Sequence, residues 1–384
     1  MSKTKVLILH TSVGYGIKVT AENIFEQLAL TDEYEPKIED IERVEQGILT
    51  SSIRNAYLVV LDKLSPFWGF LYSSKLILFL SLPLRKFFAS FKSKNVLKII
   101  REFQPEIIIC TQTVASGVIA YLKSEHYYNG KLVIVFSDYH LHRFWLYEEA
   151  DLYICNIEEQ VAKLRLLGVP EHKIALTGTL VSQRFNRPVT KQEACAAFGL
   201  LTSIPTVLLF SGGRPREALR EIFLALLRSS KTFQVVVVTG RNQDLKTELE
   251  QISPPSQHPA KVLGYVNNIE MLMPACDVMV GKTGGPTMAE AVIKKLPMVL
   301  TDIRPGHELI NLEYLVKQGI VRYGKTTREA VFLAEQILLK KIVFDHDQSF
   351  KKIVKPEGSV TVAQALKILN PKPADLKIKN YQQS

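Results

Sequence analysis

Two loops of this chain hold residue types that can do chemistry. Ser137-Asp-Tyr-His-Leu-His-Arg-Phe-Trp closes a strongly apolar run and offers a carboxyl at Asp138 and imidazoles at His140 and His142. A carboxylate and two histidines at a strand end can take up and release protons. The same residues also suit a turn structured by Asp138 with histidines at the surface. The second loop, Gly281-Lys-Thr-Gly-Gly-Pro-Thr287, begins with the last three letters of a phosphate loop. A full P-loop has a further glycine five residues earlier. That place is Cys276, and Asp277–Val280 reads as a strand, so the wrapping backbone nest is missing. What remains is a strand, a glycine turn and a helix with Pro286 in its first turn, where no N–H is needed. Free N–H groups at such a helix start favour an anion. An ordinary strand–helix turn fits these residues as well.

Two more loops carry glycines after apolar runs. Thr11-Ser-Val-Gly-Tyr-Gly-Ile-Lys has Gly14 and Gly16, which permit close backbone approach. Position 19 is Val, so the dinucleotide fingerprint Gly-x-Gly-x-x-Gly is absent, which disfavours a nicotinamide-dependent dehydrogenase. Ser211-Gly-Gly-Arg-Pro-Arg-Glu combines Gly212, Gly213 and Arg214 ahead of a helical pattern, again suited to an anion. Together with Lys282, Thr283 and the continuation Thr301-Asp-Ile-Arg-Pro-Gly-His-Glu-Leu-Ile-Asn, this loop describes a nucleoside diphosphate pocket. No Asp-x-Asp pair stands at a strand end, and Asp345-His-Asp347 falls in a helical region. The expectation is a diphosphate neutralised by backbone N–H groups, a helix start and Lys/Arg, with no metal and no resident cofactor.

The elements that must place these loops alternate. Apolar, β-rich runs at 5–10, 57–62, 106–111, 132–137, 152–156 and 174–177 form one series. Runs at 206–210, 234–239, 261–263, 277–280, 298–301 and 320–322 form a second, with helical patterns between them. Strand–helix alternation of this kind builds parallel sheets covered on both faces. The expected class is α/β, with two doubly wound, Rossmann-like domains facing across a cleft. Ligands in such folds lie at the carboxyl ends of strands. The polar stretch from Ser182 is the linker. The expected division is 1–182, then 183–355, then a C-terminal helix and tail over 356–384.

The chain has 384 residues, 47% hydrophobic and 22% charged, and a net charge of +10. Nearly all of that excess sits between Lys63 and Arg101, where eight Lys/Arg and no acids occur. A charge so localised argues against a general nucleic-acid surface. The same span, 63–101, mixes Lys75, Arg85 and Lys86 with Phe67, Trp68, Phe70, Phe87 and Phe88. Aromatic rings for the acyl boundary beside cations for anionic headgroups suit an interfacial element. A span is disfavoured because Lys75 falls mid-segment, at a cost of about 2.5–3.5 kcal/mol. A buried helix pair with a basic outer face is the alternative. The four cysteines are far apart, with no Cys-x-x-Cys pair, and the N-terminus runs straight into a strand. The expected location is therefore cytoplasmic, peripheral on the cytoplasmic face of an anionic membrane.

The motif order Gly-x-Gly, Ser-Asp-x-x-x-His-x-x-Trp, Ser-Gly-Gly, Lys-Thr-Gly-Gly-Pro-Thr-x-x-Glu-Ala and Pro-Gly-x-Glu-x-x-Asn resembles the lipid-acceptor glycosyltransferases of the GT-B fold over about residues 5 to 320. Monogalactosyldiacylglycerol synthases and bacterial diacylglycerol glucosyltransferases are nearest in pattern. The enzyme that adds N-acetylglucosamine to lipid I is a more distant cousin. The resemblance implies that Gly284, Gly285 and Thr287 hold the diphosphate of a UDP-hexose, with Gly212 and Gly213 close to the phosphates or the reacting centre. It implies that Glu290 accepts from the ribose, that Glu308 and Asn311 lie near sugar hydroxyls, and that uracil sits against the backbone at 264–266. Gly14, Tyr15, Gly16, His140 and Trp145 fall on the acceptor side, where a membrane lipid such as diacylglycerol would receive the hexose with inversion. One departure matters. The family's first loop reads Gly-x-Gly-His, and that histidine is the proposed base. Here the position is Ile17. Asp138 is the first replacement, His142 the second, with His140 and His10 also near. Alternatives are a chain that binds UDP-sugar or lipid without transfer, and a transferase acting on a polyprenol-linked acceptor.

Overall fold

The computed structural model describes residues 3–11, 15–41, 93–210, 216–252, 254, 257–282, 284–303 and 307–369. Outside these lie the strand expected at 57–62, the membrane candidates Phe67, Trp68, Phe70, Lys75, Arg85, Lys86, Phe87 and Phe88, and the loop residues Gly14, Gly212, Gly213, Arg214 and Thr283. The chain divides into one unit of residues 1–182 with 355–384 and a second of 183–354.

In the first unit six described strands pair in the order β2-β1-β3-β4-β5-β6, all parallel. They are β1 (Thr4–His10), β2 (Tyr34–Asp40), β3 (Ile107–Cys110), β4 (Lys131–Val135), β5 (Leu152–Cys155) and β6 (Ile174–Leu176). Ile107-Ile-Ile-Cys110 is buried at every position, as a strand covered on both faces must be. Alternate side chains go to opposite faces. Leu7, Leu9, Ile108, Leu132 and Ile134 pack with Ala115, Val118, Ile119 and Leu122 of the helix Thr113–Ser124. Val6, Ile8, Ile107, Ile109, Val133 and Val135 pack with Ala21, Ile24 and Leu28 of the helix Tyr15–Ala29.

Strand β2, Tyr34-Glu-Pro-Lys-Ile-Glu-Asp, has no apolar alternation, and sequence reading passes over it. It pairs in register with β1 from Thr4↔Tyr34 to His10↔Asp40. Among the described strands it stands at the edge of the sheet, where the missing N–H of Pro36 is tolerated. The last described helix, Val362–Lys367, also belongs to this unit. Val362, Ala365 and Leu366 enter its core, Val360 N–H donates to the Leu176 carbonyl (2.9 Å), and Tyr34 Oη donates to the Ala363 carbonyl (3.2 Å).

The second unit holds β7 (Thr206–Phe210), β8 (Gln234–Val238), β9 (Ala260–Leu263), β10 (Val278–Gly281), β11 (Met298–Thr301) and β12 (Arg322–Gly324), ordered β12-β11-β10-β7-β8-β9 and all parallel. The order reverses between β7 and β10, and ligands of open α/β sheets sit outside the carboxyl ends of strands at such a point. At that seam Gly281 pairs with Phe210, and a Cβ on Gly281 would stand 2.5 Å from the Phe210 carbonyl oxygen. The obstacle is backbone and cannot swing aside. Gly281→Ala is expected to destabilise this unit by about 1–3 kcal/mol, as overpacking does. Urea unfolding measures it, and an unchanged midpoint would show that the seam spreads without cost.

Each sheet starts on the same device. Asp151 donates its N–H to the Leu132 carbonyl (2.9 Å) and accepts from Leu132 N–H (2.8 Å), and Lys123 and Lys131 neutralise its carboxylate. Asp277 does likewise with Thr206 (2.8 and 2.7 Å), against Lys191. An aspartate just ahead of a strand thereby satisfies the first backbone groups of its neighbour.

Candidate active site

In the second unit the site grows from the end of β10. After Gly281 the chain turns through Lys282 into the helix Gly285–Ile293, with Pro286 in its first turn. Gly284 is the N-cap, extended at φ −87° and ψ 170°, and as a glycine it brings no capping side chain of its own. Gly284 is exposed, and a Cβ there would meet no described residue within 4 Å. The helix start therefore brings the positive end of the helix dipole to the carboxyl end of β10. Thr287 is half-buried on the same turn.

One turn further in, Glu290 is buried, with 8% of its surface exposed. Burial pushes its carboxyl up to about 7, opposed by the Arg184 cation and reinforced by the Glu270 carboxylate. Arg184 holds Glu270 at 3.5 Å and donates to the Asn267 carbonyl at 3.0 Å. A carboxyl kept inside the fold at this cost accepts hydroxyl donors strongly once it is ionised.

The loops after β10 and β11 are tied together. Lys282 Nζ lies 2.6 Å from Glu308 Oε1, on the helix His307–Lys317. Asn311, one turn beyond Glu308, is buried, and its Oδ1 has no hydrogen-bond partner among the described residues. A buried amide oxygen left in that state is a site for an incoming donor. At the ends of β8 and β9 the Arg241 guanidinium stands 5.3 Å from the Tyr265 ring.

Gly284→Ala tests the helix start. Because the Cβ meets no described residue, stability should change by less than about 1 kcal/mol, the scale of an N-cap replacement. If the diphosphate expected from the sequence lies at this helix start, affinity for UDP should fall at least about tenfold, because a methyl would stand between backbone and phosphate. Calorimetric titration with UDP decides, and unchanged affinity would remove Gly284 from the diphosphate site.

In the first unit the segment after β4 carries Asp138, His140 and His142. Asp138 is half-buried, and the His140 and His142 rings lie 6.1 Å apart. Tyr139 is buried, burial drives its phenol well up, and its oxygen accepts from Thr179 at 3.3 Å, so it is no base at neutral pH. Trp145, on the short helix Arg143–Trp145, is a core residue that meets Phe136 edge-on at 5.4 Å. It anchors the segment from below rather than offering a surface. Gly16 and Ile17 lie in the first turn of the helix Tyr15–Ala29, where their carbonyls accept from Thr20 (2.9 Å) and Thr111 (3.2 Å). His10, at the end of β1, is buried with Nδ1 3.2 Å from the Thr11 carbonyl.

Sequence reading missed the polar groups that hold these loops: Arg184 and Glu270 beside Glu290, and Asn156, Gln160 and Lys163 beside Asp138. Glu270, Gln160 and Lys163 lie on helices whose charged and amide residues pass for a solvated face, and no spacing marks them. The Lys282–Glu308 pair could have been suspected, because both belong to the same run of motifs.

Each unit is a doubly wound parallel sheet, and the pair defines the GT-B class. The UDP-GlcNAc 2-epimerase of Neisseria meningitidis bound to UDP-GlcNAc shares this fold, covering 96% of this chain and 98% of its own at a TM-score of 0.56 and 14% identity. Sequence narrows the class. Residues 18–181 match the monogalactosyldiacylglycerol (MGDG) synthase profile, and residues 206–354 match the glycosyltransferase family 28 C-terminal domain. The processive diacylglycerol beta-glucosyltransferase of Staphylococcus carnosus is 27% identical over 252 residues, 65% of this chain and 64% of that one. The protein of the same description from Bacillus cereus is 24% identical over 377 residues, 94% and 93% of the two chains. The chain belongs to the GT-B glycosyltransferases of the monogalactosyldiacylglycerol synthase and diacylglycerol glucosyltransferase type.

Proposed function

We propose that this protein transfers a hexose from a UDP-sugar to a membrane lipid, diacylglycerol or a close analogue, with inversion at the anomeric carbon. The observation that carries the reading is the glycine helix start at Gly284–Gly285 beyond β10, with Glu290 buried one turn inside it. The relatives named for diacylglycerol glucosyl transfer and the epimerase bound to UDP-GlcNAc support the acceptor and the donor class. On this reading the helix start and Lys282 take the diphosphate, Glu290 takes the ribose hydroxyls, and Glu308 with Asn311 takes hexose hydroxyls. Asp138 removes the proton from the acceptor hydroxyl. The hydroxyl oxygen then bonds to the anomeric carbon as the bond to the diphosphate breaks, and UDP leaves with its charge met by the helix start and Lys282. No resident metal or cofactor takes part.

The basic aromatic segment over 63–101 would seat the protein on the anionic, cytoplasmic face of a membrane. Among the described residues no helix is long and apolar enough to cross one. Ile17 favours a second reading, a GT-B protein that binds UDP-sugar or lipid and transfers nothing.

The test incubates purified protein with radiolabelled UDP-glucose or UDP-galactose and anionic liposomes containing diacylglycerol. Labelled glycolipid is the expected product and names the sugar. UDP binding without labelled lipid would overturn diacylglycerol as acceptor, and polyprenol-linked acceptors then separate a different transferase from a binding protein.

A further inference from the structure

We infer that Asn156 and Gln160 are positioning residues that hold the Asp138 segment in its working geometry by hydrogen bonds to its backbone carbonyls, an assignment that rests on the reading of Asp138 as base. Strand β4 ends at Val135, and the carbonyls beyond it run off the sheet. Side chains from the end of β5 and the helix Glu158–Leu166 take them up. Asn156 Nδ2 donates to the Phe136 carbonyl at 2.8 Å and to that of Asp138 at 3.4 Å. Gln160 Nε2 donates to the Asp138 carbonyl at 2.7 Å, while its Oε1 accepts from Asn156 N–H at 2.8 Å. Lys163 Nζ closes the segment on the Leu141 carbonyl at 2.6 Å. Asn156 and Gln160 are each 2% exposed.

Both carboxamides are buried, and the backbone N–H of Asn156 holds that of Gln160 in place. Their combined donors converge on the carbonyl of the one residue whose side chain must meet the acceptor. Pinning the Phe136 and Asp138 carbonyls holds the 136–137 and 138–139 peptide planes, and so restricts the direction of the Asp138 Cα–Cβ bond. A base has to stand within about 2.6–3.2 Å of the proton it takes. A displacement of about 1 Å can cost about 10²-fold in rate. A loop without such a clamp could not supply that tolerance. None of the three residues needs to touch substrate to do this.

The experiment is a double-mutant cycle in the full chain between Gln160→Glu and Asp138→Asn. A carboxylate at 160 still accepts from Asn156 N–H but cannot donate to the Asp138 carbonyl. Gln160→Glu alone should lower kcat about 10–100-fold, with the dissociation constant for UDP unchanged within about twofold. The pH profile of kcat/KM should shift on the limb that reports the base. In the Asp138→Asn background the same change should cost less than about threefold, because a residue acting through Asp138 has nothing left to act on. Additive losses, or full activity of Gln160→Glu where Asp138→Asn is slow, would overturn the assignment. Lys163→Met, which frees only the Leu141 carbonyl at the edge of the segment, gives a milder variant should Gln160→Glu fold poorly. It should lower kcat severalfold and show the same loss of effect without Asp138. If Asp138→Asn itself transfers at the parent rate, the reading of Asp138 as base fails, and this assignment fails with it.

Discussion

Asp138→Asn is expected to lower kcat by about 10²–10⁴-fold, the usual contribution of a positioned general base, while UDP binds as before. The amide keeps the volume and the backbone of the segment, so the bonds from Asn156 and Gln160 survive. It loses the carboxylate charge, and with it the capacity to take a proton. Asp138 is half-buried at the end of a strand whose neighbours offer few rivals. Tyr139 stays protonated, and Ile17 has no proton chemistry. His140 and His142 are the remaining groups of the segment, and His10 is the remaining one at the end of β1. Single-turnover transfer with saturating UDP-sugar isolates the step from donor binding and product release. A rate within threefold of the parent would pass the role to the histidines, beginning with His142.

Glu290→Gln is expected to weaken UDP binding about 10–100-fold, since hydrogen bonds to a charged acceptor contribute about 1.5–3 kcal/mol. The substitution also carries a pH signature. Burial lifts the Glu290 carboxyl to about 7 from an ordinary 4.5. Below that range the group is protonated and its acceptor strength for ribose is reduced, so UDP affinity in the parent protein should fall as pH drops from 8 to 6. In Glu290→Gln that dependence should vanish. Stability of the unliganded protein runs the other way. The fold binds a proton that the unfolded chain releases between pH 4.5 and about 7, so this contribution is complete below 4.5 and is lost as pH rises through 7. Glu290→Gln should therefore be the more stable protein at pH 8 and should differ little at pH 5. Titration with UDP and urea unfolding at pH 6 and 8 check both signs. Parallel pH profiles for the two proteins would show that Glu290 is not the group that titrates.

Much of the fold is legible in the chain because parallel strands covered on both faces are continuous apolar runs. Ile107-Ile-Ile-Cys110 and Thr206-Val-Leu-Leu-Phe210 need no partner to be recognised. Tyr34–Asp40 is a strand that pairs in register with β1, and nothing in Tyr-Glu-Pro-Lys-Ile-Glu-Asp says so. The same contrast runs through the site. Glycines, a proline and a lysine after β10 announce a helix start that can meet an anion, because that capacity belongs to a few consecutive backbone groups. Asp138 can be singled out by its chemistry, but the carboxamides that hold it cannot. Their hydrogen bonds join residues 18 to 22 positions apart across two strand ends.

The sequence by itself determined the alternation of strands and helices, the loops rich in glycine and charge at their ends, and the residue types available for chemistry. Only the tertiary structure decided which loops meet. It placed β7 beside β10, set Lys282 on Glu308, buried Glu290 next to Arg184 and Glu270, and folded the helix Val362–Lys367 into the first unit. The physical reason is range. Periodicity and turn chemistry are properties of neighbouring residues, whereas a buried polar group takes the partner that strand order brings to it, and strand order is settled by the packing of whole sheets.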